Sequence, residues 1–125
     1  MKSFDFYKIA FLEQPSFTKN LPAKIESPLS SLITFEVKLN SLTYPTAAII
    51  WLKDSVEIID SSEFTLVSEG LSYKMSFNSR REFDGSVFSV RAKNEIGEIT
   101  SESKVSILCK FYLTMLFFTT FLIFI

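Results

Sequence analysis

The stretch Asp84–Gly97, DGSVFSVRAKNEIG, decides how the rest of the chain is read. Phe88, Val90 and Ala92 fall on one side, and Ser89, Arg91 and Lys93 on the other. A period of two describes a strand with one buried face. The following Asn94-Glu95-Ile96-Gly97 reads as a hairpin turn. Asn94 is expected to shape it through its side chain, and Gly97 to supply the positive φ that short hairpin loops often require. Asp84 is expected to tie the turn entering the strand, through its side chain and local backbone.

Working outward, the pattern repeats. LITFEVKL (32–39) sets Ile33, Phe35, Val37 and Leu39 against Thr34, Glu36 and Lys38. Pro45 keeps the next segment out of a central strand. AAIIWLK (47–53) puts Ile49 and Trp51 on one face, and VEII (56–59) is short enough for an edge strand. EFTLVSEG and LSYKMSF pair around Glu69-Gly70, with Leu71, Tyr73, Met75 and Phe77 facing one way. EITSESKVSIL (98–108) closes the set, with Val105 and Ile107 inward. Seven or more short strands at this spacing define a sandwich or a barrel.

Composition narrows the function. The chain has 125 residues, room for one domain, with 13 basic and 14 acidic side chains. No basic stripe marks a nucleic-acid partner. There is no histidine, the commonest general base and metal ligand. No carboxylate pair, glycine-rich phosphate loop or nucleophile–base couple stands out, so no catalytic, cofactor-binding or metal-binding residue is assigned and no enzyme is expected. The single cysteine, Cys109, permits no intrachain disulfide and reads as inert packing. Asp5 and Lys8 interrupt the N-terminus before an apolar run long enough for a secretory signal, which points to the cytosol. Trp51 fits a core position better than a ligand platform. The Arg80-Arg81-Glu82 cluster reads as a solvated connection.

From Pro15 to Leu108 the chain resembles an immunoglobulin domain of the intermediate set, as found in titin- and twitchin-type muscle proteins. PSF (15–17) looks like that family's opening strand, and WLKD (51–54) like its core tryptophan and the turn after it. DGSVFSVRAKNEIG looks like its Asp-x-Gly-x-Tyr-x-Cys-x-Ala-x-Asn-x-x-Gly signature, with Asp84, Ala92, Asn94 and Gly97 in register. Val37 and Val90 stand where the family's two cysteines would be, 14 residues before Trp51 and 53 residues apart. Phe88 occupies the tyrosine-corner position without a hydroxyl. Ser86 stands where the pattern has glycine, with Gly85 beside it to shift the bend.

The resemblance implies an all-β, immunoglobulin-like Greek-key sandwich of two antiparallel sheets, followed by a short hydrophobic tail. The expected divisions are an N-terminal segment (1–14), the I-set domain (15–109) and the tail (110–125). Val37, Trp51, Phe88 and Val90 would form the structural core, and Asp84, Asn94 and Gly97 the turns. The implied role is a non-enzymatic interaction or structural module of a muscle or cytoskeletal protein, cytoplasmic and sarcomeric. Its partners would be neighbouring immunoglobulin domains or filament proteins.

The charge-free run FYLTMLFFTTFLIFI (111–125) opens an alternative. As a helix it spans roughly 22 Å, short of a bilayer core near 30 Å. Three readings stand. It is a membrane anchor with Lys104 and Lys110 at the cytoplasmic surface, sequence outside the domain from a misassembled gene model, or a segment folding back on the protein. The first would make the chain a membrane-anchored adhesion or receptor-type protein.

Overall fold

The computed structural model describes residues 11–108. Nine strands build two sheets: β1 (Phe17–Lys19), β2 (Lys24–Pro28), β3 (Leu32–Leu39), β4 (Ala48–Lys53), β5 (Val56–Ile58), β6 (Thr65–Glu69), β7 (Ser72–Asn78), β8 (Val87–Lys93) and β9 (Glu98–Leu108). A 3-10 turn at Arg81–Phe83 precedes β8. One sheet has the order β1-β3-β7-β6 and the other β2-β9-β8-β4-β5. The alternating residues of the sequence supply the core between them: Ile33, Phe35 and Val37 from β3, Met75 and Phe77 from β7, Trp51 from β4, and Phe88 and Val90 from β8.

The expectation of two antiparallel sheets needs one correction. β2 pairs with β9 in parallel, from Lys24 beside Lys104 to Pro28 beside Leu108. The chain leaves β1 in one sheet, crosses at Leu21-Pro22, and joins the other sheet running in the direction of β9. Leu21 is buried at this crossing, and its N–H donates to the Ser101 hydroxyl at 2.9 Å. β2 does not stand out in the sequence: Lys24, Glu26 and Pro28 leave only Ile25 and Ser27 to face inward. The opening strand also lies later than PSF, starting at Phe17.

Turns fix the register. Asp54 and Ser55 form a two-residue hairpin between Lys53 and Val56, and both have positive φ, 48° and 71°. That is the type I′ geometry, whose twist matches the flanking strands. The β6–β7 hairpin closes with Glu69 opposite Ser72, so its loop is Gly70-Leu71 rather than Glu69-Gly70. Gly70 takes φ 61° at the first loop position, as a II′ turn requires. Leu71 therefore lies in the turn, exposed, and not on the core face with Tyr73, Met75 and Phe77.

The expectations about Cys109, the first ten residues and the hydrophobic run 111–125 fall outside the described residues. Among the described residues no helix is long and apolar enough to cross a membrane.

Candidate interaction surface: a braced sandwich with two different poles

The four core residues named from the sequence are all buried. Val37, Phe88 and Val90 are 0% exposed and Trp51 is 4% exposed, within one cluster. Trp51 lies directly across from Val90 on the neighbouring strand. Hydrocarbon fills the space between the sheets where the resemblance would put a disulfide.

Phe88, which lacks the tyrosine hydroxyl, sits instead among phenylalanine rings. Its ring stacks on Phe77 at 4.6 Å and 16°, meets Phe83 edge-on at 5.9 Å, and lies 5.8 Å from Phe35. Phe64 extends the group through Phe77. Aromatic pairs of this geometry contribute about 0.5–1.5 kcal/mol each beyond their buried area. Ser103, opposite Phe88 on β9, is also 0% exposed, and its hydroxyl has no hydrogen-bond partner.

The turn residues hold the poles. At the pole where the described chain begins, the Asn94 side chain makes four bonds. Its amide donates to the carbonyls of Glu13 (2.8 Å) and Pro45 (3.0 Å), and its oxygen accepts from the N–H groups of Ile96 and Gly97. One side chain thus joins the β8–β9 hairpin, the entering segment and the β3–β4 loop. The backbone bridge between Glu13 and Tyr44 reinforces this.

Gly97 acts differently from expectation. Its φ is not positive; the glycines with positive φ are Gly70 and Gly85. A Cβ at Gly97 would lie 2.5 Å from Gln14 Oε1 and 3.1 Å from Gln14 Cβ, so glycine here makes room for the entering segment.

At the opposite pole, Asp84 reaches further than its local backbone. Its Oδ1 accepts the N–H of Ile107 on β9 at 2.9 Å. Gly85 beside it takes φ 82°, and the backbone pairs of Gly85 and Ser86 with Val105 complete the bend. Ser86 is buried there. Asp54 supports the same region: its carboxylate accepts the Val87 N–H at 3.0 Å. That bond, helped by Lys53, holds the Asp54 carboxyl below its ordinary pKa.

The poles differ in chemistry. The first presents Phe11, Leu12, Leu42, Tyr44, Leu71 and Ile96, all exposed, with Leu42 at 69%. Isolated exposed apolar residues are ordinary, whereas large contiguous apolar patches occur at interaction sites. The second pole carries Leu32, Val56 and Leu108 with Asp54, Arg80, Glu82 and Asp84, so its apolar residues stand among charges.

The outer face of the first sheet carries a polar cluster that ties β1 to β3 and β7. Lys19 Nζ lies 2.6 Å from Glu36 Oε1, the Ser72 hydroxyl donates to Glu36 Oε2, and Lys74 is the cross-strand neighbour of Glu36. The Lys19 bond first, then the Ser72 bond, lower the Glu36 pKa from 4.5 to about 2. A carboxylate with a depressed folded pKa adds stability above its unfolded pKa and loses it as pH falls through the folded value. Glu36→Gln is therefore expected to flatten the loss of stability between pH 4.5 and 2. Urea melts across this range check it; equal acid slopes in the two proteins would refute the role given to Glu36.

Two packed sheets, a tryptophan against the β8 core and a parallel pairing of β2 with the last strand, β9, define an immunoglobulin-type sandwich. The I-set immunoglobulin domain model matches residues 15–107, and the chain belongs to that family. It is 26% identical over 93 residues to the titin homolog of Caenorhabditis elegans, a match covering 74% of this chain and 0% of that protein. It is 26% identical over 104 residues to the muscle M-line assembly protein unc-89 of the same organism, covering 80% of this chain and 1% of that protein. The chain thus spans about a hundredth or less of these relatives' lengths. Among solved structures, a chimeric titin Z1Z2 carrying a decorin peptide superposes with a TM-score of 0.68 at 25% identity. That match covers 78% of this chain and 99% of the other.

Proposed function

We propose that the chain is a non-enzymatic interaction and load-bearing module of a muscle or cytoskeletal filament protein, in the cytoplasm. It docks end to end with neighbouring immunoglobulin-type domains or filament proteins. Similarity to the titin homolog and to the M-line assembly protein supports the setting.

The observation that carries the reading is the path of the chain. The described segment begins beside Tyr44 and Asn94, and β9 runs from that end to Leu108 at the other. Eleven residues of strand span about 36 Å at roughly 3.3 Å each. Tension along that axis loads β2 and β9 side by side. Their bonds must then break together rather than one after another. The apolar pole suits contact with a neighbour, and the braces at Asn94 and Asp84 hold the entry and exit in place.

Mechanical unfolding tests this. Ala23 and Leu29 both bond to β9, so the alternate residues between them, Ile25 and Ser27, aim their N–H groups at it. Ile25→Pro removes one such donor and a partly buried side chain. Pulled from its ends in single-molecule force spectroscopy, the variant is expected to rupture at a clearly lower force. An unchanged rupture force would place the mechanical resistance elsewhere and remove the load-bearing reading.

A further inference from the structure

A cleft of about 520 Å³ lies at the free edge of β5, lined by Val56, Glu57, Ile58, Ile59 and Phe64 among others. Val56 and Ile59 are each 69% exposed. β5 is the last strand of its sheet, so one side of its backbone is unpaired. Lys53 and Val56 close the two-residue hairpin, and Trp51 faces Ile58. The alternation between these pairs turns the N–H and C=O of Glu57 outward, away from β4.

The other three edges carry blocking features of the kind that keep sheets apart. β1 is irregular at Phe17/Lys19. β2 follows Pro22 and ends in Pro28. On β6, the Asp60 carboxylate occupies the Leu66 N–H at 2.9 Å. β5 carries no proline and no bulge; only its short length and the Glu57 charge guard its edge, and both suit a short basic guest.

Charge selects the guest. Asp54, Glu57, Asp60 and Glu63 recur every third residue, with no Lys or Arg between Asp54 and Glu63. Asp54 is engaged by Lys53 and the Val87 N–H, Asp60 by Leu66, and Glu63 by Arg80 at 3.4 Å. Among the described residues Glu57 has no ion-pair partner, and it sits beside the open backbone. We propose that the β5 edge is a docking site for a short extended segment of another protein in which basic and apolar residues alternate. The segment adds a strand beside Glu57, sets its apolar side chains on the face of Val56 and Ile58, and its cations on the opposite face with Glu57 and the acidic rim. Strand addition takes affinity from the backbone and specificity from alternate side chains.

The test uses the 125-residue chain and two ten-residue peptides, one alternating lysine with valine and one alternating glutamate with valine. Amide shifts in ¹⁵N NMR locate binding, and fluorescence anisotropy measures it at low and high salt. The lysine peptide is expected to bind, to shift the amides of residues 56–59 first, and to weaken as salt rises. The glutamate peptide is expected not to bind. Ile59→Lys and Glu57→Lys, both at exposed positions and checked for folding by circular dichroism, are each expected to weaken binding about tenfold. The proposal is overturned if the lysine peptide does not bind, if shifts centre on β6 or another edge, or if the folded variants bind as tightly as the parent.

Discussion

Val90→Asp is expected to leave the chain without a cooperative thermal transition. Val90 is 0% exposed, pairs with Trp51 and Ser101 on its two flanking strands, and faces the core between the sheets. The substitution removes a buried valine, about 1.5–3 kcal/mol. It also puts a carboxylate where no cation lies in the core cluster, a further cost of several kcal/mol. A domain of this kind has only about 5–15 kcal/mol in total. Trp51 is the only tryptophan and sits opposite Val90, so its fluorescence reports directly on the site. A cooperative melt retained in the variant would mean that β8 is out of register by one residue, with every side chain on the other face.

Phe88→Ala is the second large effect, with an expected loss of about 3–5 kcal/mol. Phe88 contacts Phe35, Phe77 and Phe83, and those rings line the cavity that alanine would leave. Phe64→Ala should cost less, because Phe64 is only partly buried and touches the cluster through Phe77 and Phe83. Chemical denaturation of the two variants gives the order. Equal losses would show that the cluster does not centre on Phe88. The comparison matters because these rings take over at a position where the family resemblance expects a tyrosine tie to backbone.

The parts legible in the sequence are those written in local alternation. β3, β7, β8 and β9 each carry a clear inward row, and their cores follow from it. What sequence reasoning missed depends on partners far along the chain. β2 shows no such row, and its partner β9 lies 80 residues away. Asp84 reads as a local turn residue, yet its carboxylate serves Ile107. Gly97 reads as a conformational glycine, yet its value is space for Gln14. The Asp54-Ser55 hairpin lacks the Asn-Gly or Asp-Gly signal that usually marks a type I′ turn. The sequence marks VEII as an edge strand, but that its free side gathers Val56, Ile59, Phe64 and the acidic residues into one cleft depends on the folded arrangement. The three-residue spacing of Asp54, Glu57, Asp60 and Glu63 was the available signal.

The I-set sandwich closes here on a valine pair, Val37 and Val90, where a disulfide would cross it in the family pattern. The decisive experiment replaces Val37 and Val90 together by cysteine, with Cys109→Ser to leave no third thiol. Oxidation in air should then consume both thiols within the folded protein. The oxidised form should be more stable than the reduced one by about 2–4 kcal/mol, as expected for a bridge closing a loop of this size. Two free thiols persisting in the folded, oxidant-treated protein would contradict the claim, since Val37 and Val90 would then not face each other across the core.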